Sequence, residues 1–133
     1  MLLVDTSVWV EVFRRTRPLD LDAVLDFDEI VTCLPVVQEV LQGFDDQRAF
    51  NLAREAMFAL PMVESPLGEE VFRDAVDLYR SARRMGLSVR SGVDCLIAAC
   101  GLRNSLTVLH LDRDFETLAK VAPVEVRDLR AAL

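Results

Sequence analysis

Leu2-Leu3-Val4-Asp5-Thr6-Ser7-Val8-Trp9-Val10 changes character at Asp5. The apolar run before it suits a strand buried on both faces, as in a parallel sheet. Thr6 and Ser7 offer a helix N-cap, and Val8, Trp9, Val12 and Phe13 then recur at helical spacing. A strand that passes through an acid straight into a helix reads as the start of a βα unit.

Outward from this stretch the alternation repeats. Glu29 to Cys33 predicts a second strand, and Pro35 sits at a first helical position before the stripe Val36, Val37, Val40, Leu41 and Phe44. Gly43 falls near that helix's end. Asp45 or Asp46 caps the next helix, with the stripe Phe50, Ala53, Met57 and Leu60, which Pro61 stops; Met62 and Val63 predict a short strand. Ser65-Pro66 with Glu69 and Glu70 opens a helix whose expected core face is Phe72, Val76, Tyr79 and Ala82, ending by Gly86. Ser91 opens another, in which Cys95-Leu96-Ile97-Ala98-Ala99-Cys100 is apolar nearly all round, hence deeply buried. Leu106 to Leu111 is the clearest strand. A helix from about Asp112 to Val121 follows, Pro123 breaks it, and Val124 to Val126 predict a last edge strand. Strands and helices alternating in this way predict an α/β sandwich, a mostly parallel central β-sheet flanked by helices. At 133 residues the chain reads as one domain spanning 1–133.

The net charge of −7 argues against a protein that coats nucleic acid by global attraction, though acidic clusters that hold metal would themselves lower the total. All but one of the 15 basic residues are arginines, Lys120 being the exception, and the single His110 excludes catalysis by a histidine pair. Cys33, Cys95 and Cys100 lack a zinc-like spacing and lie in apolar contexts, so they read as buried free thiols suited to a reducing cytosol. The opening apolar run is too short for a signal peptide or a bilayer span. The expectation is a cytoplasmic chain without membrane association.

Ligands of a parallel sheet bind beyond the carboxyl ends of its strands. Two predicted strands run into an aspartate there, Val4 into Asp5 and Leu111 into Asp112. Each acid has an ordinary reading of its own. Asp5 can cap a helix, Glu39 can be a solvated helix residue, and Asp94, three residues after Ser91, can complete a capping box. Asp112 or Asp114 can cap the helix that follows them. As a set, Asp5, Glu39, Asp94 and Asp112 fall where a parallel sheet gathers residues at one edge. Crowded carboxylates raise one another's pKa unless a cation neutralises them. Oxygen ligands without cysteine or clustered histidine select Mg²⁺, with Mn²⁺ as substitute, and such ions suit phosphodiester cleavage with one metal or two.

These four positions resemble the PIN-domain nucleases, and the residues around them resemble the VapC toxins. Val4 to Val10 is similar to the family's first motif, Val37 to Gly43 to its second, Ser91 to Ala99 to its third and Leu111 to Phe115 to its fourth. The resemblance runs from about residue 2 to 126 and implies a PIN-like three-layer sandwich. It implies that Asp5, Glu39, Asp94 and Asp112 are the catalytic, metal-binding set, with Thr6, Ser91 and Asp114 as auxiliary positions. Asp112 and Asp114 both qualify as the fourth acid; Asp112 directly follows the apolar run. The implied activity is that of a metal-dependent endoribonuclease, the toxin of a toxin–antitoxin pair. The implied partners are RNA, a VapB-type antitoxin and a second copy of the chain, with higher toxin–antitoxin assembly open. Arg14, Arg15 and Arg17, and the group Arg83, Arg84 and Arg90, are the expected guides for RNA. A basic antitoxin side chain is expected near Asp5 and Asp94, with Trp9, Val12 and Phe13 lining part of its groove.

Two other classes compete. A response-regulator receiver needs an acidic pair at the first strand and a lysine after a late one, but Asp5 has no acidic neighbour and Lys120 falls in a predicted helix. A haloacid-dehalogenase-type phosphatase needs a second aspartate where Ser7 stands. A catalytically silent PIN-like binding domain keeps the fold without the metal; here all four acidic positions are filled.

Overall fold

The computed structural model describes residues 1–132; Leu133, the last residue of the predicted 1–133 unit, lies outside the described residues. The chain opens with β1 (Leu2–Val4) and α1 (Thr6–Val12). Two 3₁₀ turns, Leu21–Ala23 and Phe27–Glu29, lead into β2 (Ile30–Val31). That strand is shorter than predicted because Glu29 closes a turn and Cys33 is already the N-cap of α2 (Leu34–Gln42). α3 (Gln47–Phe58) is capped by Asp46, whose Oδ2 accepts the Ala49 N–H at 2.8 Å. Met62 forms only an isolated bridge with Thr32, so the strand expected at Met62 and Val63 is not made. Then come α4 (Glu69–Arg84), α5 (Gly92–Arg103), β3 (Thr107–His110), α6 (Asp114–Ala119), β4 (Glu125–Asp128) and a closing 3₁₀ turn. α6 is shorter at both ends than the predicted Asp112–Val121. α4 is capped by Gly68, with Ser65-Pro66 in the loop before it.

The four strands pair in the order β2-β1-β3-β4, every pair parallel, with Leu2 opposite Ile30, Leu3 opposite Val108 and His110 opposite Asp128. The chain leaves β1 in one direction across the sheet and leaves β3 in the other. Right-handed crossovers therefore place helices on both faces. The crevice where the direction changes lies between the carboxyl ends of β1 and β3, the place where such sheets bind ligands.

α5 meets its expected burial: Asp94, Cys95 and Ile97 to Gly101 are all buried. It lies close to the sheet because Gly101 has no side chain; a Cβ there would meet Val108 Cγ2 at 3.0 Å. α4 corrects the sequence reading. Its buried face is Val71, Ala75, Leu78 and Ala82, while Phe72 and Val76 are 48% and 55% exposed and Tyr79 is exposed with them. The two stripes are neighbours on one helix and share Ala82. α4 packs against α5, and the smaller residues permit the close approach. Cys33, Cys95 and Cys100 are buried and free. Among the described residues no helix is long and apolar enough to cross a membrane.

Candidate metal centre

Asp5 stands immediately after β1 and its N–H extends the ladder to Leu109 O at 2.9 Å. It is also the N-cap of α1, its Oδ2 accepting the Ser7 N–H at 3.0 Å and the Ser7 hydroxyl at 2.6 Å. Capping uses only that oxygen. Oδ1 is buried with no hydrogen-bond partner among the described residues. Ser7 Oγ in turn accepts the Leu111 N–H at 2.9 Å, tying the start of α1 to the segment after β3.

Asp94 lies in the first turn of α5 and is 6% exposed. The capping box that its spacing suggests is not formed. Ser91 caps alone, its Oγ accepting the Val93 N–H at 3.2 Å, and Asp94 Oδ2 is buried without a partner. Glu39 projects from α2, where its Oε1 accepts the Thr6 hydroxyl at 2.8 Å. β3 ends at His110, so Leu111 intervenes before Asp112 rather than closing the strand. Asp112 Oδ1 accepts the Asp114 N–H at 3.0 Å and Arg90 Nη2 at 2.9 Å. Asp114, 3% exposed, accepts the Arg90 N–H at 3.1 Å and its Nε at 3.3 Å, both on Oδ2. Asp94, Asp112 and Asp114 each offer an oxygen within 4.8 Å of the others.

Asp94, Asp112 and Asp114 thus converge, while Asp5 and Glu39 are tied to them by charge. Burial pushes the Asp94 carboxyl up to about 8, reinforced by the charges of Asp5, Asp112, Asp114 and Glu39. Burial also raises Asp5, against the opposing hydrogen bonds from Ser7. Glu39 is raised by its burial and by Asp5 and Asp112, with the Thr6 hydroxyl working the other way. A buried carboxylate oxygen without a donor costs more than a hydrogen bond returns. Two of them, on Asp5 and Asp94, leave the site short of positive charge. An all-oxygen donor set with such orphans fits a hard divalent cation.

Three contributors escaped the sequence. In sequence Ser7 offers a helix cap, yet it also bridges two segments; the adjacent Thr6-Ser7 pair is the signal. Arg90 was grouped with Arg83 and Arg84, but those two line a separate depression with Arg80 and Tyr79. Arg90 turns instead to Asp112 and Asp114, and with Arg113, Arg130 and Ser7 it borders an open depression of about 380 Å³. His110 is fully buried; its Nδ1 accepts the Asp112 N–H at 3.3 Å, and its Nε2 lies 3.0 Å from Glu116 Oε1. Trp9, expected to help line an exposed groove, is buried. The groove beside α1 is lined by Val10, Phe13, Val40 and Phe44 with Arg14 and Arg15, has a volume of about 370 Å³ and reaches Glu39.

The family model described as PIN domain matches residues 2–121. A VapC ribonuclease of Mycobacterium bovis is 34% identical, the match covering 98% of this chain and 100% of that protein. Ribonuclease VapC11 of Mycobacterium tuberculosis gives the same identity and coverage. Among solved structures, FitAcB from Neisseria gonorrhoeae superposes with a TM-score of 0.72 at 21% identity, covering 96% of this chain and 97% of that one. VapBC-5 of Mycobacterium tuberculosis, a member of the VapBC family of toxin–antitoxin systems, superposes with a TM-score of 0.68 at 24% identity, over 94% and 96% of the two chains.

Proposed function

The chain belongs to the PIN-domain family, and from that premise we propose that it is a metal-dependent endoribonuclease, the toxin half of a toxin–antitoxin pair. One observation carries the reading. Asp5 and Asp94, at the switch point of the sheet, each bury a carboxylate oxygen that no donor among the described residues meets. The relatives named as ribonucleases support RNA as the substrate.

In this reading Asp5 and Asp94 hold Mg²⁺ or Mn²⁺, with Glu39 and Asp112 completing the acidic ring. A bound divalent ion supplies Lewis-acid stabilisation to phosphoryl oxygens and makes water a better nucleophile near neutral pH. The chain's own residues do the rest. Ser7 holds Asp5 in place, Thr6 orients Glu39, and Ser91 fixes the first turn of α5 that carries Asp94. Arg90, Arg113 and Arg130 border the depression beside the acids and offer guanidinium groups to a phosphate backbone that the overall charge would repel.

The neighbour from the VapBC family supports a VapB-type antitoxin as partner. Its tail would lie in the groove between α1 and α2 and send a basic side chain past Glu39 toward Asp5 and Asp94. The exposed Phe72, Val76 and Tyr79 of α4, beside Val93 and Leu96 of α5, border an apolar depression. A second copy of the chain would cover it in a cytoplasmic homodimer, on which higher toxin–antitoxin assembly would build.

The test is cleavage of single-stranded RNA by the purified chain with Mg²⁺, Mn²⁺ or a chelator, beside single-stranded DNA of the same sequence. Cleavage of RNA that needs the metal is expected. Metal-dependent binding without cleavage would favour the silent binding domain, and cleavage indifferent to chelator would remove the metal from the mechanism.

A further inference from the structure

The acids at this site fall into two conditions. The unpartnered oxygens are Asp5 Oδ1 and Asp94 Oδ2. Asp112 and Asp114 are already engaged by a cation of the chain itself, with Arg90 Nη2 at 2.9 Å from Asp112 Oδ1 and Nε at 3.3 Å from Asp114 Oδ2. Yet Asp94, Asp112 and Asp114 bring their oxygens within 4.8 Å of one another, a grouping that by itself suits an ion. A second divalent ion held there would help stabilise both the attacking and the leaving oxygen of a displacement.

We propose that Arg90 is a resident cation of this site: its guanidinium takes the place of a second divalent ion between Asp112 and Asp114, so the chain binds one metal ion, at Asp5 and Asp94. The inference rests on reading the acids as a metal centre.

Three features separate Arg90 from an ordinary surface ion pair. Asp114 is buried, so its charge is not left to solvent. The Arg90 backbone N–H also donates to Asp114 Oδ2, at 3.1 Å, which anchors the segment before α5 independently of the side chain. The fork spans two carboxylates at once, and a guanidinium keeps its charge at every working pH. An Mg²⁺ ion entering the same place must shed water, which it does reluctantly, and must displace those bonds. The Arg90 side chain is still 59% exposed, so its outer edge faces the depression where a phosphate would approach. A phosphate there meets one divalent ion and one fixed guanidinium.

The experiment counts ions. Metal-free full chain is titrated with Mn²⁺ and free Mn²⁺ is read by its paramagnetic resonance signal, with folding followed by circular dichroism in the same buffer. Wild type is expected to bind one ion per chain. Arg90→Gln, which keeps the backbone bond but removes the charge, is expected to bind two, with the broadened signal of a coupled pair. Arg90→Lys, which retains a positive charge, is expected to return to one. Two ions in wild type or in Arg90→Lys would overturn the inference while leaving the metal centre standing, as would a single ion in folded Arg90→Gln. No ion in wild type would bring down the metal centre itself. Should Arg90→Gln not fold, the wild-type and Arg90→Lys counts still decide.

Discussion

Two groups of ligating side chains flank the end of β3, and they are built in opposite ways. His110, Glu116 and Asp128 bring one ligand atom each within 4.8 Å of one another, and so do Asp94, Asp112 and Asp114. In the first group the charges have partners. The Asp112 N–H donates to His110 Nδ1, which leaves the ring proton on Nε2, and Nε2–H donates to Glu116 Oε1. Asp128 accepts Arg130 through Nε, Nη2 and the backbone, bonds that hold its carboxyl down to about 2. In the second group Asp94 has a bare buried oxygen and a carboxyl pushed up to about 8. Ligand geometry alone does not separate the two groups. Desolvation that nothing compensates does.

The contrast breaks hardest at the bare oxygens. Asp5→Asn or Asp94→Asn keeps the shape and removes the charge. Losing an outer partner of a metal ligand typically costs roughly 10–100-fold in affinity or activity, and these substitutions are expected to exceed that. Glu116→Gln should leave the rate essentially unchanged. Initial rates on one single-stranded RNA, at saturating Mg²⁺, compare them. Equal losses in the two groups would erase the distinction.

Metal-free stability should show the two groups with opposite signs. Asp94 has a folded-state pKa near 8, above its ordinary 3.8, so between about pH 4 and 8 the folded chain keeps a proton that the unfolded chain has lost. Stability therefore falls as pH rises through that window, with a slope of up to about 1.4 kcal/mol per pH unit. Asp128, lowered to about 2, runs the other way: its contribution is present above the ordinary value of 3.8 and is lost as pH falls toward 2. Urea midpoints in chelator at pH 5 and pH 8 are expected to be lower at pH 8. Asp94→Asn should flatten the difference, and excess Mg²⁺ should restore the wild type at pH 8. A wild type more stable at pH 8 than at pH 5 in chelator would contradict the Asp94 assignment.

What the sequence revealed of the fold and the site was local or forced by burial. Asp5 was readable because the strand, the acid and the helix cap are contiguous. Asp94 was readable because α5 has no polar face on which a carboxylate could escape to water. The buried face of α4 is ambiguous in sequence because Phe72-Val76-Tyr79-Ala82 and Val71-Ala75-Leu78-Ala82 have equivalent helical spacing, and bulk points to the exposed one. Only the close approach of α5 selects the smaller set. Ser7 and Arg90 draw their roles from partners far along the chain: Leu111 is 104 residues from Ser7, and Asp112 and Asp114 are 22 and 24 from Arg90. No local pattern carries such a pairing. Nothing within the strand marks the pairing of His110, because its partner Glu116 sits on the next helix.

The smallest expected effect lies at that histidine and tests whether the first group is a completed polar network or a second metal site. The His110 ring is wholly buried, but Glu116 is about half exposed. Glu116→Ala removes the acceptor for Nε2–H and would cost about 1–3 kcal/mol if the donor stayed dry. Water can enter where the Glu116 side chain was, so the loss is expected at the low end, about 1 kcal/mol. Glu116→Gln still offers an oxygen to Nε2–H and should recover most of it. Neither variant should change the affinity for Mn²⁺, since no oxygen of Asp5 or Asp94 is disturbed. A metal site at His110, Glu116 and Asp128 predicts otherwise. Zn²⁺, which takes imidazole and carboxylate together, would then stabilise the wild type, and Glu116→Ala would abolish the gain. Thermal melts with Zn²⁺ and with chelator distinguish the two: equal midpoints in wild type are expected. A Zn²⁺-dependent rise that vanishes in Glu116→Ala would make both groups metal sites and end the comparison.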